Sequence, residues 1–295
     1  MRGIGRASGA ITIVNALPTG VGCALGIGLF AVAEVSLQPV RSHDSGHPGG
    51  LRAQMDSRTP LVETTARLAL SRWGSSGSRI THLRLRSEIP PARGLKSSSA
   101  VSCAIARAIA SAAGARPTDL EIGLLSSEAS RATGVSATGA LDDALAGIRG
   151  GFVVTDNLRG ELLRTSPPGR DWATAMFVPE TTHSPSPQWA ARFRNRASEG
   201  RAAVTAALDG DWWEAMALNT ELVERTMGYE YRALRERLMA GGALGVGVSG
   251  LGPALAAIAP SERVERLRQA LPKAGGQRTV ARVWSVETAP TTGGE

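Results

Sequence analysis

The sequence has little cysteine, few aromatics and no dense basic run, and each shortage excludes something. Cys23 and Cys103 are the only two cysteines and share no CxxC spacing. A disulfide framework and a cysteine-ligated zinc are therefore excluded, and a reducing cytoplasm is the expected compartment. Phe, Trp and Tyr together make up 4% of the 295 residues, so a core built from a hydrophobic fraction of 42% must draw mainly on Ala, Val, Leu and Ile. The excess of 33 Lys+Arg over 26 Asp+Glu gives a net charge of +7. Its arginines are scattered along helical patterns without an aromatic ladder, which argues for an anionic small-molecule substrate and against nucleic acid.

No charged residue occurs from Ala7 to Ala33, a length that would span a membrane as a helix. Asn15, Pro18, Thr19 and glycines 20, 22, 26 and 28 interrupt any such face. "AITIVNA" and "GLFAVAEVSL" instead read as two buried strands around a glycine-rich turn, so no membrane is expected. The loop "HDSGH", with His43 and His47, and the separate His82 and His183 form no metal-ligand pattern.

Further along, "LVETTARLALSRWG" predicts a helix closed by Gly74, and "ITHLRLRSEI" predicts a strand. "VSCAIARAIASAAG" predicts a central buried helix, and Thr118–Glu121 has the form of a capping box for the next one, which carries Glu128. A short helix over "LDDALAGIR" leads through Gly150-Gly151 to a strand. A second strand, "TAMFVPE", then a helical region, the strand "ALGVGV", a glycine-rich turn feeding a helix over "PALAAIA", an amphipathic helix and a last strand "TVARVWSV" complete the reading. The length and this order predict an α+β protein of two halves, 1–160 and 161–295.

Between a strand and the central helix lies "PPARGLKSSSA", comprising Pro91, Ala92, Arg93, Gly94, Leu95, Lys96, Ser97, Ser98, Ser99 and Ala100 after Pro90. The first N–H groups of a helix lack intrahelical partners and sit at the positive end of its dipole, so this turn can hold a phosphate. Lys96 adds a point charge, and a serine hydroxyl can join the shell of a magnesium ion. Ordinary capping would need one serine, not three. A Walker loop is excluded because Leu95 precedes Lys96 where glycine is required. Gly245, Gly247 and Gly250 spell G-x-G-x-x-G, yet no acidic residue follows at the distance a dinucleotide fold needs. A nucleophile elbow at Ser249 fails because Leu251 follows Gly250.

The string is similar to the second motif of the GHMP kinase superfamily, and "GLKSSSA" with "ASGAITIVNALPTGVGCALGIGL" resembles its archaeal-type shikimate kinases. "GVSGLGPA" resembles the superfamily's third motif, and "VSATGALDDALAGIRGG" the segment with the catalytic aspartate. The resemblance implies the GHMP kinase fold, with an N-terminal half like ribosomal protein S5 domain 2 and a ferredoxin-like C-terminal half. It implies transfer of the γ-phosphoryl group of ATP, with Mg²⁺, to the 3-hydroxyl of shikimate; homoserine kinase is the alternative enzyme and a non-catalytic metabolite-binding regulator the alternative of another class. Ser98 and Glu128 are implied to hold the metal, and Asp142 or Asp143 to face the acceptor. Leu141, Leu145 and Ile148 mark the buried stripe of that helix; Asp142 flanks it and is preferred, while a one-residue gap would pass the role to Asp143. Asn15, Thr19, Ser249 and Gly250 are the candidates for acceptor contacts. Two departures stand out: Lys96 occupies a place more often taken by glycine, and Val21 stands where the first turn usually carries a basic residue.

Overall fold

The computed structural model describes residues 1–39, 54–55, 58–75, 78–181 and 187–284. The "HDSGH" loop and His183 lie outside them. The uncharged N-terminal stretch is an antiparallel pair, β1 (Arg2–Val14) and β2 (Val21–Pro39), with Val14 opposite Cys23 across the turn. The order continues β3 (Gln54–Met55), α1 (Pro60–Trp73), β4 (Ser78–Ser87), α2 (Ser97–Ala113), α3 (Asp119–Ala132), α4 (Leu141–Arg149), β5 (Phe152–Asp156) and β6 (Glu161–Ser166). The second half holds β7 (Trp172–Pro179), α5 (Pro187–Arg194), α6 (Ala197–Asp209), α7 (Trp212–Met227), α8 (Arg232–Ala240), β8 (Gly245–Val248), β9 (Leu255–Pro260), α9 (Ser261–Ala270) and β10 (Gly276–Arg282). No described helix is long and apolar enough to cross a membrane.

β2 organises the first sheet. β1 runs along one edge of it, while the other edge is shared by β5, opposite Val21–Leu25, and β4, opposite Ala31–Pro39. The gap between them is filled from the far end of the chain: Val283 bridges Ile27, and the Trp284 N–H donates to the Gly26 carbonyl. β6 extends this sheet beyond β5, so its strands run to Ser166 and the second sheet, ordered β10-β7-β9-β8, begins at Trp172. β6 is absent from the sequence reading because it alternates only exposed and half-buried side chains, as an edge strand does.

One expectation is overturned. "LAAIAP" is strand β9, antiparallel to both β7 and β8, rather than a helix after the third glycine-rich turn. Alanine favours helices by only tenths of a kcal/mol per residue. Pairing on both edges and full burial of Leu255–Ala259 outweigh that preference. The hairpin also removes the dinucleotide reading, which needs a helix after the glycines.

α2 lies directly on β1. A side chain at Gly3 or Gly5 would overlap the α2 backbone at Ala108 or Ala104, so these glycines allow a helix of small residues to approach the sheet closely. The capping box at Thr118 and Glu121 is formed as predicted, and Gly114 closes α2 in the left-handed region with φ +71°. One continuous core crosses both halves, from Ile11 and Ile105 to Met176, Met216 and Ile258. Four of the scarce aromatics meet there: Phe152 stacks on Trp212 at 4.3 Å, with Trp172 and Trp213 edge-on or tilted beside them. Such pairs contribute about 0.5–1.5 kcal/mol each beyond their area.

Gly5→Val should therefore lower stability by about 3 kcal/mol by forcing α2 off β1, the upper range for overpacking. Urea unfolding followed by tryptophan fluorescence measures it, and an unchanged midpoint would contradict the close packing.

Candidate active site

A cleft of about 600 Å³ opens between the halves, within the usual range for a small-molecule site. One wall is the predicted phosphate loop. α2 begins at Ser97, and its N-cap is Lys96 in the left-handed region, φ +62°, with no side-chain capping bond. None of the three serines caps the helix. The first turn of N–H groups is thus left for whatever occupies the cleft, which Ser97, Ser98 and Ser99 all line. Pro91, Ala92, Gly94, Leu95 and Lys96 line it as well. Ala100 is buried behind the first turn, and its N–H bonds the Lys96 carbonyl. Arg93 turns away: its guanidinium donates to the Pro179 carbonyl in the second half, so it ties the halves rather than facing the cleft.

The first and third glycine-rich segments form the wall opposite. The Ser249 hydroxyl accepts from the Thr12 N–H at 3.1 Å and donates to the Gly94 carbonyl at 2.7 Å. The Gly250 N–H donates to Thr12 Oγ1 at 2.8 Å, and Asn15 Nδ2 donates to the Gly250 carbonyl at 3.1 Å. Gly94 sits at φ +86°, and a side chain there would overlap the Ser249 carbonyl oxygen, so only glycine satisfies both demands. Asn15 and Gly250 line the cleft, and the Asn15 Oδ1 accepts from the Leu17 N–H at 2.9 Å. Ser249 is corrected to a structural role, since its buried hydroxyl is already committed twice. Thr19 is corrected likewise: its hydroxyl engages the N–H and carbonyl of Val21 in a local turn and is not on the cleft surface. Sequence reasoning missed Thr12, a hydroxyl between Ile11 and Ile13 in β1.

α4 brings both aspartates to the cleft. The stripe argument put Asp143 further from the interior, yet Asp142 is 4% and Asp143 7% exposed. The helix is enclosed by α2, α3, β1, β2 and β5, so no outward face exists in its first turn. Asp142 Oδ1 accepts from Asn157 Nδ2 at 2.9 Å, and Asn157 also reaches Thr155 and Thr138. Asp143 Oδ1 lies 3.2 Å from Lys96 Nζ in an ion pair off the line of a good hydrogen bond. Burial, and then the Asp143 charge, push the Asp142 carboxyl up to about 7. Burial also raises Asp143, against the pull of Lys96. Asn157 is the second residue that the sequence did not reveal; its signal was an amide one position past an apolar strand.

Glu128 is not brought to this site. Its carboxylate pairs with Arg72, remains 45% exposed and does not line the cleft. Among the described residues no three His, Cys, Asp or Glu converge as a metal cage. The hydroxyls of Ser97, Ser98 and Ser99 are oxygens that the loop offers to a cation in the cleft.

The buried dyad has a pH consequence. A carboxyl whose folded pKa is raised favours the protonated state, so its contribution is fully present below the ordinary carboxylate range and is lost as pH climbs to about 7. The melting temperature of the nucleotide-free protein should fall between about pH 4 and 7, and Asp142→Asn should flatten that fall in a calorimetric pH series. Ser249→Ala should cost about 1–3 kcal/mol, because it leaves the Thr12 N–H and the Gly94 carbonyl unpaired, and should weaken nucleotide binding in titration calorimetry.

Known proteins place this geometry in context. Residues 60–151 match the model for the GHMP kinases N terminal domain, and residues 203–277 the model for GHMP kinases C terminal. The chain is similar to the shikimate kinase of Methanosarcina acetivorans, 37% identical over 91% of this chain and 89% of that one. It is similar also to the shikimate kinase of Pyrococcus furiosus, 35% identical over 90% and 95%. In fold it resembles the Methanococcus jannaschii mevalonate kinase, with a TM-score of 0.72 at 14% identity over 97% and 99% of the two chains. The homoserine kinase of Cytophaga hutchinsonii superposes with a TM-score of 0.68 at 18% identity over 96% of each. With both family models matched in order and relatives at a third identity along nine-tenths of its length, the chain belongs to the GHMP kinase family.

Proposed function

We propose that this protein is a cytoplasmic kinase that transfers the γ-phosphoryl group of ATP to the 3-hydroxyl of shikimate. The observation that carries the chemistry is the uncapped first turn of α2 facing two buried aspartates across one cleft. The substrate rests on the curated shikimate kinases that the chain resembles along most of its length. Homoserine kinases enter only as structural neighbours at 18–21% identity, a likeness of fold alone.

In this reading the N–H groups of Ser97–Ser99 hold phosphate oxygens, as a helix N-terminus does at little reorganisation cost. Ser98 would hold a magnesium ion through its hydroxyl, and the ion would supply charge neutralisation at the phosphates; Glu128 would join it only by exchanging Arg72. Val14, Ala16, Leu17 and Trp189 offer apolar surface to a ring, while Asn15, Ser136 and Thr138 offer polar atoms to its hydroxyls. The reacting hydroxyl gives its proton to a carboxylate of the dyad, its oxygen bonds the γ-phosphorus, and ADP departs with the electrons of the broken bond.

Steady-state ADP release with Mg-ATP should give a kcat/KM for shikimate at least about a hundredfold above that for homoserine, the scale by which a site built for particular polar groups rejects an analogue. Faster turnover of homoserine would overturn the substrate, and ATP binding with no turnover of either would favour the regulator.

A further inference from the structure

The phosphate loop contains a contradiction that the phosphate alone does not resolve. Lys96 holds a left-handed backbone, φ +62°, a conformation that glycine adopts without steric cost and a long side chain does not. Strain of this kind persists where the side chain has a task. The lysine does not extend into solvent. Its side chain is 13% exposed, and it folds over Gly250 to bring Nζ to 3.2 Å from Asp143 Oδ1, an oxygen with no hydrogen-bond partner. Lys96 is also the sole cation among the described residues that line the cleft.

The two aspartates differ in what is left free. Asp142 has one oxygen on Asn157, while the other faces β2 so closely that a side chain at Gly22 would meet it. Asp142 borders the cleft, but Asn157 and the close approach of β2 already occupy the two sides of its carboxylate. Among the described residues Asp143 is paired with Lys96, at the cleft. We propose that Lys96 is the positioning residue for Asp143, and that Asp143, rather than Asp142, is the carboxylate that receives the acceptor proton. The reading rests on the kinase assignment above. Because the lysine grows from the loop that would hold the phosphates, base and phosphate site are one mechanical piece: moving the loop moves the charge that orients Asp143. Among the described residues, Lys96 is the charged group acting on Asp143 and it favours the ionised form; it also acts on Asp142, which in addition feels the Asp143 charge and lies beside the buried Cys23 thiol of β2.

The decisive variant is Lys96→Gly, because glycine relieves the backbone while deleting the ammonium. The melting temperature should stay level or rise. The kcat for shikimate should fall by about a hundredfold or more, the lower range for losing one proton-transfer group. Lys96→Met, which keeps the side-chain bulk, should show the same loss and should move the acid limb of the kcat profile upward by about one pH unit or more, the direction expected when a cation beside a carboxylate is removed. Asp143→Asn should turn over at least about tenfold more slowly than Asp142→Asn. A wild-type kcat in either lysine variant, an acid limb that stays in place in Lys96→Met, or Asp142→Asn as the slower aspartate variant would each overturn the proposal. Wild-type protein that binds ATP but phosphorylates no acceptor would instead overturn the kinase reading, which the same assay reports separately.

Discussion

The site depends on a contact between two stretches of backbone that are far apart in the chain. Gly94 and Ser249 approach so closely that no side chain fits between them, and the Ser249 hydroxyl bonds both the Gly94 carbonyl and the Thr12 N–H. Three segments, from β1, the phosphate loop and the β8–β9 turn, are fixed to one another by a single buried oxygen. Every distance across the cleft inherits that fixation. Preorganisation of this kind is what lets main-chain dipoles act on a bound anion without first rearranging.

Against that rigid frame the charges are placed in tension. Two carboxylates adjacent in sequence share a nearly dry helix turn, with one ammonium to offset them. Burial alone would neutralise both, so the amide of Asn157 and the lysine divide the pair, one oxygen-bonded and the other ion-paired. The core around Phe152 and the tryptophans joins β5, against which α4 packs, to β7 and α7 of the second half.

Much of this was legible in the residues, and the failures have physical reasons. The β1–β2 pair, the uncapped α2 and the capping box of α3 follow from patterns with a local cause: alternation, orphan N–H groups, a reciprocal side-chain bond. Strand β9 was misread because an alanine run carries a weak helical preference and no periodicity, and its neighbours β7 and β8 decide the outcome from elsewhere in the chain. Ser249 and Thr19 were misassigned for a related reason. A hydroxyl in a glycine-rich turn looks available in sequence, and only the fold shows that backbone groups have already claimed it. Thr12, between two isoleucines, and Asn157, after Thr155 and Asp156 in a polar turn, carry no signature until their partners are known.

The insertion of Val283 and Trp284 into the middle of β2 carries a consequence for biogenesis. The gap between β5 and β4 can be closed only after the ribosome has made a segment more than 250 residues later than the strand it completes. The N-terminal half must therefore wait, with an open sheet edge, until Val283 and Trp284 have emerged. Assembly is non-local and slow by nature, and while synthesis continues that edge is the natural place for a chaperone to bind or for a neighbouring nascent chain to pair wrongly.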